Sequence, residues 1–279
     1  MPHLARIDIY PIKSLDGMTV PQATVLSSGA LQHDREFALF DERGRFVNGK
    51  LNKKVHAIRS QFDIHAQVLS LQIDTQQQVF DIRKEHLKLE ACFSNYFGFP
   101  VSLKQDIQTG FPDDTYSPGP TVISTETLKE VNSWYPSLGL DEVRKRFRAN
   151  LEIDGVPAFW EDQLFAEENQ VVQFQIGEVV FAGVNPCQRC PVPTRDSSTG
   201  EAYPDFQKIF VNKRKVTLPS WTPNARFNHF YKLSVNTRVL DKGSSSILNT
   251  GDQVEIIENP ANTPGKKVDV KTNNEYRTY

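Results

Sequence analysis

A chain of 279 residues, 38% hydrophobic and 24% charged, can bury a core without covalent staples and excludes collagen-like, disordered and coiled-coil classes. Lys and Arg number 32 against 34 Asp and Glu, a net charge of -2, so no global basic excess announces nucleic acid or an anionic membrane. Three cysteines are too few for a disulfide framework, and no apolar stretch approaches the roughly 20 residues of a membrane-spanning helix.

The first third reads as strands. Leu4 to Tyr10 is apolar and β-branched and stops at Pro11. Phe37 to Phe40 meets the turn signal Asp41-Glu42-Arg43-Gly44 before Phe46 and Val47, which predicts a hairpin. Strict alternation from Ile58 to Ile64 and from Leu69 to Ile73, followed by Val79 to Ile82, predicts a three-stranded meander with one buried face. The period then changes. Leu89, Cys92, Phe93, Tyr96 and Phe97 fall at helical spacing from about Glu85 and are stopped by Gly98 and Pro100.

Val101 to Gln105 returns to a strand, and 109–121 carries too much Gly, Pro and Asp for regular structure, which makes it the candidate boundary or, equally, a long ordered loop. Ser124 or Thr125 can cap a helix bearing Leu128, Val131 and Trp134, with a short helix or turn through Asp141 to Lys145. Leu151 and Ile153 resume the strands. Val171 to Ile176, the turn Gly177-Glu178 and Val179 to Val184 form the clearest hairpin. Phe206 to Asn212 is a short helix, Phe230 to Val239 and Val254 to Ile257 are strand-like, and the polar tail from Asn259 is loose. The fold class is mainly β with a few short helices, α+β. The expected division is 1–108, 109–258 and a tail 259–279.

The stretch VNPCQRCPVPTRDSSTGE, 184–201, is the most informative. Its C-x-x-C admits half a zinc site, a thioredoxin-like dithiol, or a thiolate ligand for another metal or cofactor. Zinc would demand scattered ligands, because no second C-x-x-C exists and the six histidines, His3, His33, His56, His65, His86 and His229, form no H-x(3–5)-H pair. A thioredoxin-like helix is opposed by Pro191 and Pro193. What remains is a loop thiolate beside Arg189, or two inert thiols in a turn.

Cations gather near other loops marked by Pro or Gly. Lys13 and Ser14 follow the first strand, Asp34-Arg35 precedes the second, and Arg144, Arg146 and Arg148 share a face if RKRFRAN is extended, with Asn150 continuing it. Each alone reads as a solvated charge. Together they can cradle a phosphate-bearing ligand.

The blocks IYPIKSLDG (9–17), GALQHDREFALFDERGRFV (29–47), VISTETL (122–128), RFRANLEIDG (146–155), FWED (159–162), CQRCPVPTRDSSTGE (187–201) and LNTGDQVEII (248–257) occur in an order similar to that of one family. In that family an N-terminal MOSC-associated β-domain is joined to a MOSC domain. It includes mitochondrial amidoxime-reducing components, bacterial N-hydroxy-compound reductases and the C-terminal part of molybdenum cofactor sulfurases.

The resemblance implies an N-terminal β-domain packed on a MOSC-type β-barrel and a molybdenum cofactor. Cys190 would be the metal's thiolate ligand and the catalytic residue. Lys13, Ser14, Arg35, Ser124, Thr125, Arg148, Asn150, Gln188, Arg189, Thr194 and Asp196 would bind the pterin and its phosphate. Asp196, Thr199 and Gly200 match a D-x-x-T-G turn that closes the loop. Cys187 reads as a buried or turn-forming thiol, and Glu161 and Asp162 either orient the site or anchor backbone.

The implied activity is reduction of N-hydroxylated compounds, amidoxime or hydroxylamine in type. Electrons would come from a separate donor, a ferredoxin, a cytochrome b5-like protein or a flavin reductase. A fused iron–sulfur cluster is not expected, since it needs four cysteine ligands and the chain has three. The alternatives are a cofactor carrier or sulfur-acceptor module, and a non-catalytic binding module with inert cysteines. No nucleic acid or membrane span is expected, and a cytoplasmic location is the default.

Overall fold

In the computed structural model, which describes residues 1–240 and 246–258, the alternating and helical patterns become fifteen strands and four α-helices among the described residues. β1 (His3–Ile9) pairs antiparallel with β2 (Met18–Val20), and β3 (Gln22–Val25) follows. β4 (Phe37–Asp41) turns where expected, with the Asp41 N–H donating to the Arg45 carbonyl at 2.9 Å, yet the return is a single bridge between Phe40 and Phe46. The meander is β5 (Ile58–Asp63), β6 (Val68–Ile73) and β7 (Gln76–Asp81). α1 (His86–Phe97) closes at Gly98, whose left-handed backbone returns its N–H to Ser94. β8 (Val101–Gln105) then supplies the ladder that β4 lacks.

After an irregular strap over 109–121 come β9 (Val122–Ser124), α2 (Thr125–Ser133), α3 (Leu140–Phe147) and β10 (Leu151–Asp154). The hairpin is β11 (Val172–Ile176) and β12 (Val179–Gln188). α4 (Phe206–Val216), β13 (Lys232–Val239), β14 (Ser246–Asn249) and β15 (Val254–Glu258) follow. The expected loose tail lies outside the described residues.

Eight strands join in the order β15-β11-β12-β13-β9-β10-β1-β2. The mainly-β character is as expected; no closed barrel ladder forms among the described residues, but a bridge between His3 and Gln253 and the Leu4 N–H on the Asp252 carbonyl at 2.8 Å bring the start of β1 against the start of β15. Long-range pairing ties the chain's start to its later part, since β1 runs antiparallel to β10 and β3 to β14.

Three apolar cores support these layers. One lies under the large sheet around Leu4, Ile7, Leu151, Phe174 and Phe181. A second fills the meander and α1 with Phe62, Leu69, Leu71, Leu89 and Phe93, and Cys92 packs against it. A third joins α2, α3 and α4 through Leu128, Val131, Phe147 and Phe210. Each such side chain contributes about 1.5–3 kcal/mol on burial.

The basic run RKRF is helical, not extended. Val143 and Phe147, four residues apart, bury one face of α3, so the three arginines diverge. Arg144 binds Glu152 with Nε and Nη2, each at 2.8 Å, while buried Arg146 reaches Glu142 at 2.7 Å and the Pro193 carbonyl at 3.1 Å. Arg148 caps the helix with a left-handed backbone, φ 52°, and turns away from both.

β12 passes flush against the 3-10 turn Trp160–Leu164. A Cβ on Gly183 would stand 1.6 Å from the Leu164 carbonyl oxygen, so main chain must move to admit any side chain. Gly183→Ala is expected to cost at least about 3 kcal/mol, read as a lower urea midpoint. A midpoint equal to wild type would show that this approach is not what fixes β12.

Candidate functional site

A cleft of about 1970 Å³ opens where the end of β1, the strap, the end of α3 and the β12–β13 edge meet. Its lining holds fourteen Lys or Arg against seven Asp or Glu. A chain of net charge -2 therefore concentrates positive charge in one concavity.

The first wall is built around Tyr10. The Arg148 guanidinium lies 3.9 Å from the centre of its ring and that of Arg35 5.2 Å, while the phenol donates to the Ala149 carbonyl at 3.3 Å. Burial pushes the phenol well above its usual pKa. Arg35 is paired with Asp34. Arg148 forms no ion pair among the described residues, and burial, then Arg35, act against its charge. Ser14, Arg35 and Arg148 all have left-handed backbones, φ 72°, 52° and 52°. Such strain in residues other than glycine costs of order 1 kcal/mol each and gathers at functional sites.

Lys13 is buried beside them. Its ammonium donates to the Phe111 carbonyl at 2.9 Å and to Asp113 at 2.7 Å, both on the strap. Burial lowers its pKa despite that partner. Burial works to raise the Asp113 carboxyl, but Lys13 and Arg35 outweigh it and hold it well below the usual carboxylate range.

The second wall carries the cysteines. β12 ends at Gln188, opposite Lys232 of β13, and the Arg189 N–H donates to the Tyr231 carbonyl at 3.0 Å. Cys187 and Cys190 are both free thiols, half-buried on the cleft wall. The Arg189 side chain addresses Cys187, with Nη1 3.2 Å from its Sγ, and also donates to Ser234 at 3.4 Å and to the Phe147 carbonyl.

Beyond Cys190 the loop is clamped from two sides. Arg146 holds the Pro193 carbonyl, and Glu142 accepts from the Ser197 N–H at 2.9 Å. From the N-terminal part, the Gly49 carbonyl accepts from Arg195 at 2.8 Å, and Arg59 donates to the Ser197 carbonyl at 2.9 Å. Gly200 packs so closely that a Cβ would stand 2.8 Å from the Lys53 carbonyl, and its φ is +72°. His56 lines the cleft beside it. Burial, and then Arg195, Arg148 and Arg59, push its pKa below the usual value, while its contact with the Gly49 carbonyl opposes them.

The structure therefore brings Lys13, Ser14, Arg35, Arg148, Asn150, Gln188, Arg189 and Cys190 to one cleft. Asn150 spends its amide on the scaffold, donating to the Asp8 carbonyl at 3.1 Å and accepting from the Thr121 N–H at 3.2 Å. Four expected ligands lie off the lining. Ser124 is fully buried, and its oxygen accepts from the Thr127 N–H at 3.1 Å as the cap of α2; Thr125 is buried next to it. Thr194 closes its own 3-10 turn on the Pro191 carbonyl at 2.7 Å. The Asp196 carboxylate accepts from the Ser198 and Thr199 N–H groups, both at 2.9 Å. Glu161 and Asp162 are buried anchors away from the cleft, bound to Thr127 and to Arg214 and Thr222 respectively.

Sequence reasoning missed Tyr10, His56, Ser117 and Lys232 on the walls. Ser117 is 5% exposed on the strap, where no periodicity marks it. Its N–H donates locally to Asp114 at 3.2 Å, and long-range bonds hold the strap against β13: the Gly119 N–H on the Thr237 carbonyl at 3.1 Å, and Asn236 on Asp114 at 3.3 Å.

Comparison with known families and proteins matches residues 1–96 to the MOSC N-terminal beta barrel domain and residues 121–255 to the MOSC domain. The chain is 26% identical over 236 residues to the molybdenum cofactor sulfurase of Drosophila grimshawi, covering 73% of this chain and 29% of that protein. It is 26% identical over 246 residues to that of Oryza sativa subsp. japonica, covering 71% and 29%. The chain thus spans less than a third of the length of these curated relatives. Among solved structures, YiiM from Geobacillus stearothermophilus aligns with 50% of this chain and 54% of its own at 11% identity and a TM-score of 0.30.

The buried carboxyl pair generates a pH-dependent stability. Burial, then the neighbouring Asp162, push Glu161 up from 4.5 to about 7. The folded state therefore holds this proton more tightly than the unfolded chain. Its stabilising contribution is complete below pH 4.5 and is lost as pH rises through about 7. Glu161→Gln should flatten the fall in urea midpoint across that interval, and parallel profiles for the two proteins would refute the assignment.

Proposed function

We propose that this chain, which belongs to the MOSC-domain family and carries a MOSC N-terminal beta barrel domain ahead of its MOSC domain, binds the molybdenum cofactor in the cationic cleft and uses it to reduce N-hydroxylated compounds. The observation that carries the reading is the convergence of Cys190 with Lys13, Arg35 and Arg148, residues from distant segments, on one lining with twice as many cations as carboxylates.

The donor set fits the group. Lys13, Ser14, Arg35 and Arg148 would hold the phosphate and the anionic pterin, with Ser117 adding a hydroxyl and Asn150 fixing the wall behind them. A thiolate from Cys190 is a soft ligand suited to a metal already held by sulfur. The cleft exceeds the roughly 300–1,000 Å³ of a usual small-molecule pocket, which leaves room for substrate beside a cofactor.

When bound, the cofactor supplies two-electron chemistry, so that an N–OH group, two electrons and two protons become N–H and water. Arg146, Glu142 and Arg195 keep the Cys190 loop in place, and the guanidinium stack on Tyr10 orients Arg148. Neutral His56 adds no further charge to the wall. In this reading electrons come from a separate ferredoxin, cytochrome b5-like protein or flavin reductase. A cytoplasmic location belongs to the same proposal. No helix among the described residues is long and apolar enough to cross a membrane.

A second reading, a cofactor carrier or sulfur acceptor, is favoured by Cys187, which shares the wall with Cys190 and has Arg189 on its sulfur. Production in a molybdopterin-competent host separates the two. Molybdenum and pterin near one per chain are expected for wild type, with the metal lost in Cys190→Ala. Lys13→Ala and Arg148→Ala should each lower pterin occupancy, with far-ultraviolet circular dichroism unchanged. Metal-free wild type would sink the reductase reading. Loaded protein that fails to reduce benzamidoxime with an artificial electron donor would select the carrier.

A further inference from the structure

Lys232 opens β13 directly across from Gln188, two residues from Cys190. It is half-buried and lines the cleft. Its ammonium donates to two neutral acceptors, the Arg226 carbonyl at 2.6 Å and Asn228 Oδ1 at 2.8 Å. An ammonium has three N–H donors; two are spent on these neutral acceptors, and the Phe227 ring centre lies 5.9 Å from Nζ. Burial and then Arg226 push its pKa down, so the charge is held at a cost that a partner would relieve.

The surroundings are rigid and supply matching donors. Asn228 uses its oxygen on Lys232, and both Asn228 and Gln188 are exposed residues of the cleft lining. Phe227 holds the segment in the core, tilted against Phe165 at 6.2 Å and stacked on Phe230 at 6.0 Å. Arg226 ties it to the Ala166 carbonyl at 2.7 Å and the Val184 carbonyl at 3.1 Å. One point charge with two flanking amides suits the two oxygens of a carboxylate. A phosphate would favour the planar forks of Arg found on the other wall.

We propose that Lys232, with the amides of Asn228 and Gln188, seats a carboxylate of the substrate next to Cys190, so that carboxylate-bearing N-hydroxylated compounds are preferred over neutral ones. The inference rests on the reductase reading for its substrate class, while the carboxylate subsite is a property of the wall itself.

The test is isothermal titration of 4-carboxybenzamidoxime and benzamidoxime into the protein as isolated from the molybdopterin-competent host. Reduction kinetics with reduced methyl viologen run in parallel. Wild type should bind the carboxylate compound about tenfold more tightly, as one charge-assisted hydrogen bond allows. Lys232→Gln, which can keep a hydrogen bond to the Arg226 carbonyl, should erase that preference. It should leave the binding of benzamidoxime, the molybdenum content and the melting temperature unchanged. Equal affinities in wild type, or a preference that survives Lys232→Gln, overturn the proposal. Loaded protein that binds with the stated preference but turns over neither compound removes the reductase reading and leaves the subsite standing.

Discussion

Two guanidinium groups on one aromatic ring set the terms for this molecule. Arg35 and Arg148 both lie against Tyr10, each on a left-handed backbone, and only Arg35 has a carboxylate beside it. Like charges held this closely in a partly desolvated site oppose folding, and the cost is offset by apolar cores that lie elsewhere. A negatively charged group beside them would relieve the repulsion. The concentration of positive charge in the cleft thus follows from how the backbone is folded around Tyr10, and not from the composition of the chain.

The cysteine loop obeys a second constraint, because neither part of the chain holds it alone. α3 grips it through Arg146 and Glu142, while Gly49, Lys53 and Arg59 of the N-terminal part close over it from the other side. Cys190 is therefore positioned by the joint between the two parts. A change that loosens the joint would alter the site without touching any residue that lines it.

Much of this was legible in the sequence where the signal was local. The meander, α1 with its Gly98 stop, and the β11–β12 hairpin follow from period and turn chemistry. Eight of the residues singled out as site candidates share one lining, because blocks of residues in a fixed order carry more information than any single motif. The errors have physical causes. The arginines of RKRFRAN share a face only if the run is extended, but the i, i+4 pair Val143 and Phe147 has a core to fill and makes it helical. Ser124 was read both as a cap and as a ligand, and its one oxygen, buried under α2, serves the helix. Ser117 sits in a local turn on Asp114, but bonds to β13 more than a hundred residues away set the strap's place on the cleft.

The pairing of β1 with β10 and of β3 with β14 sets a timetable as well as a shape. During synthesis the meander and α1 can fold as soon as they emerge, because their contacts are local. The first strands must wait, unpaired on these edges, until segments about 150 and 220 residues downstream are made. Lys13 and Arg35 are thus present early, but the wall that carries Cys190 is completed only when β13 arrives. The walls of the cleft are therefore joined only after β13 has been made, which makes its assembly a late step relative to the locally folded meander.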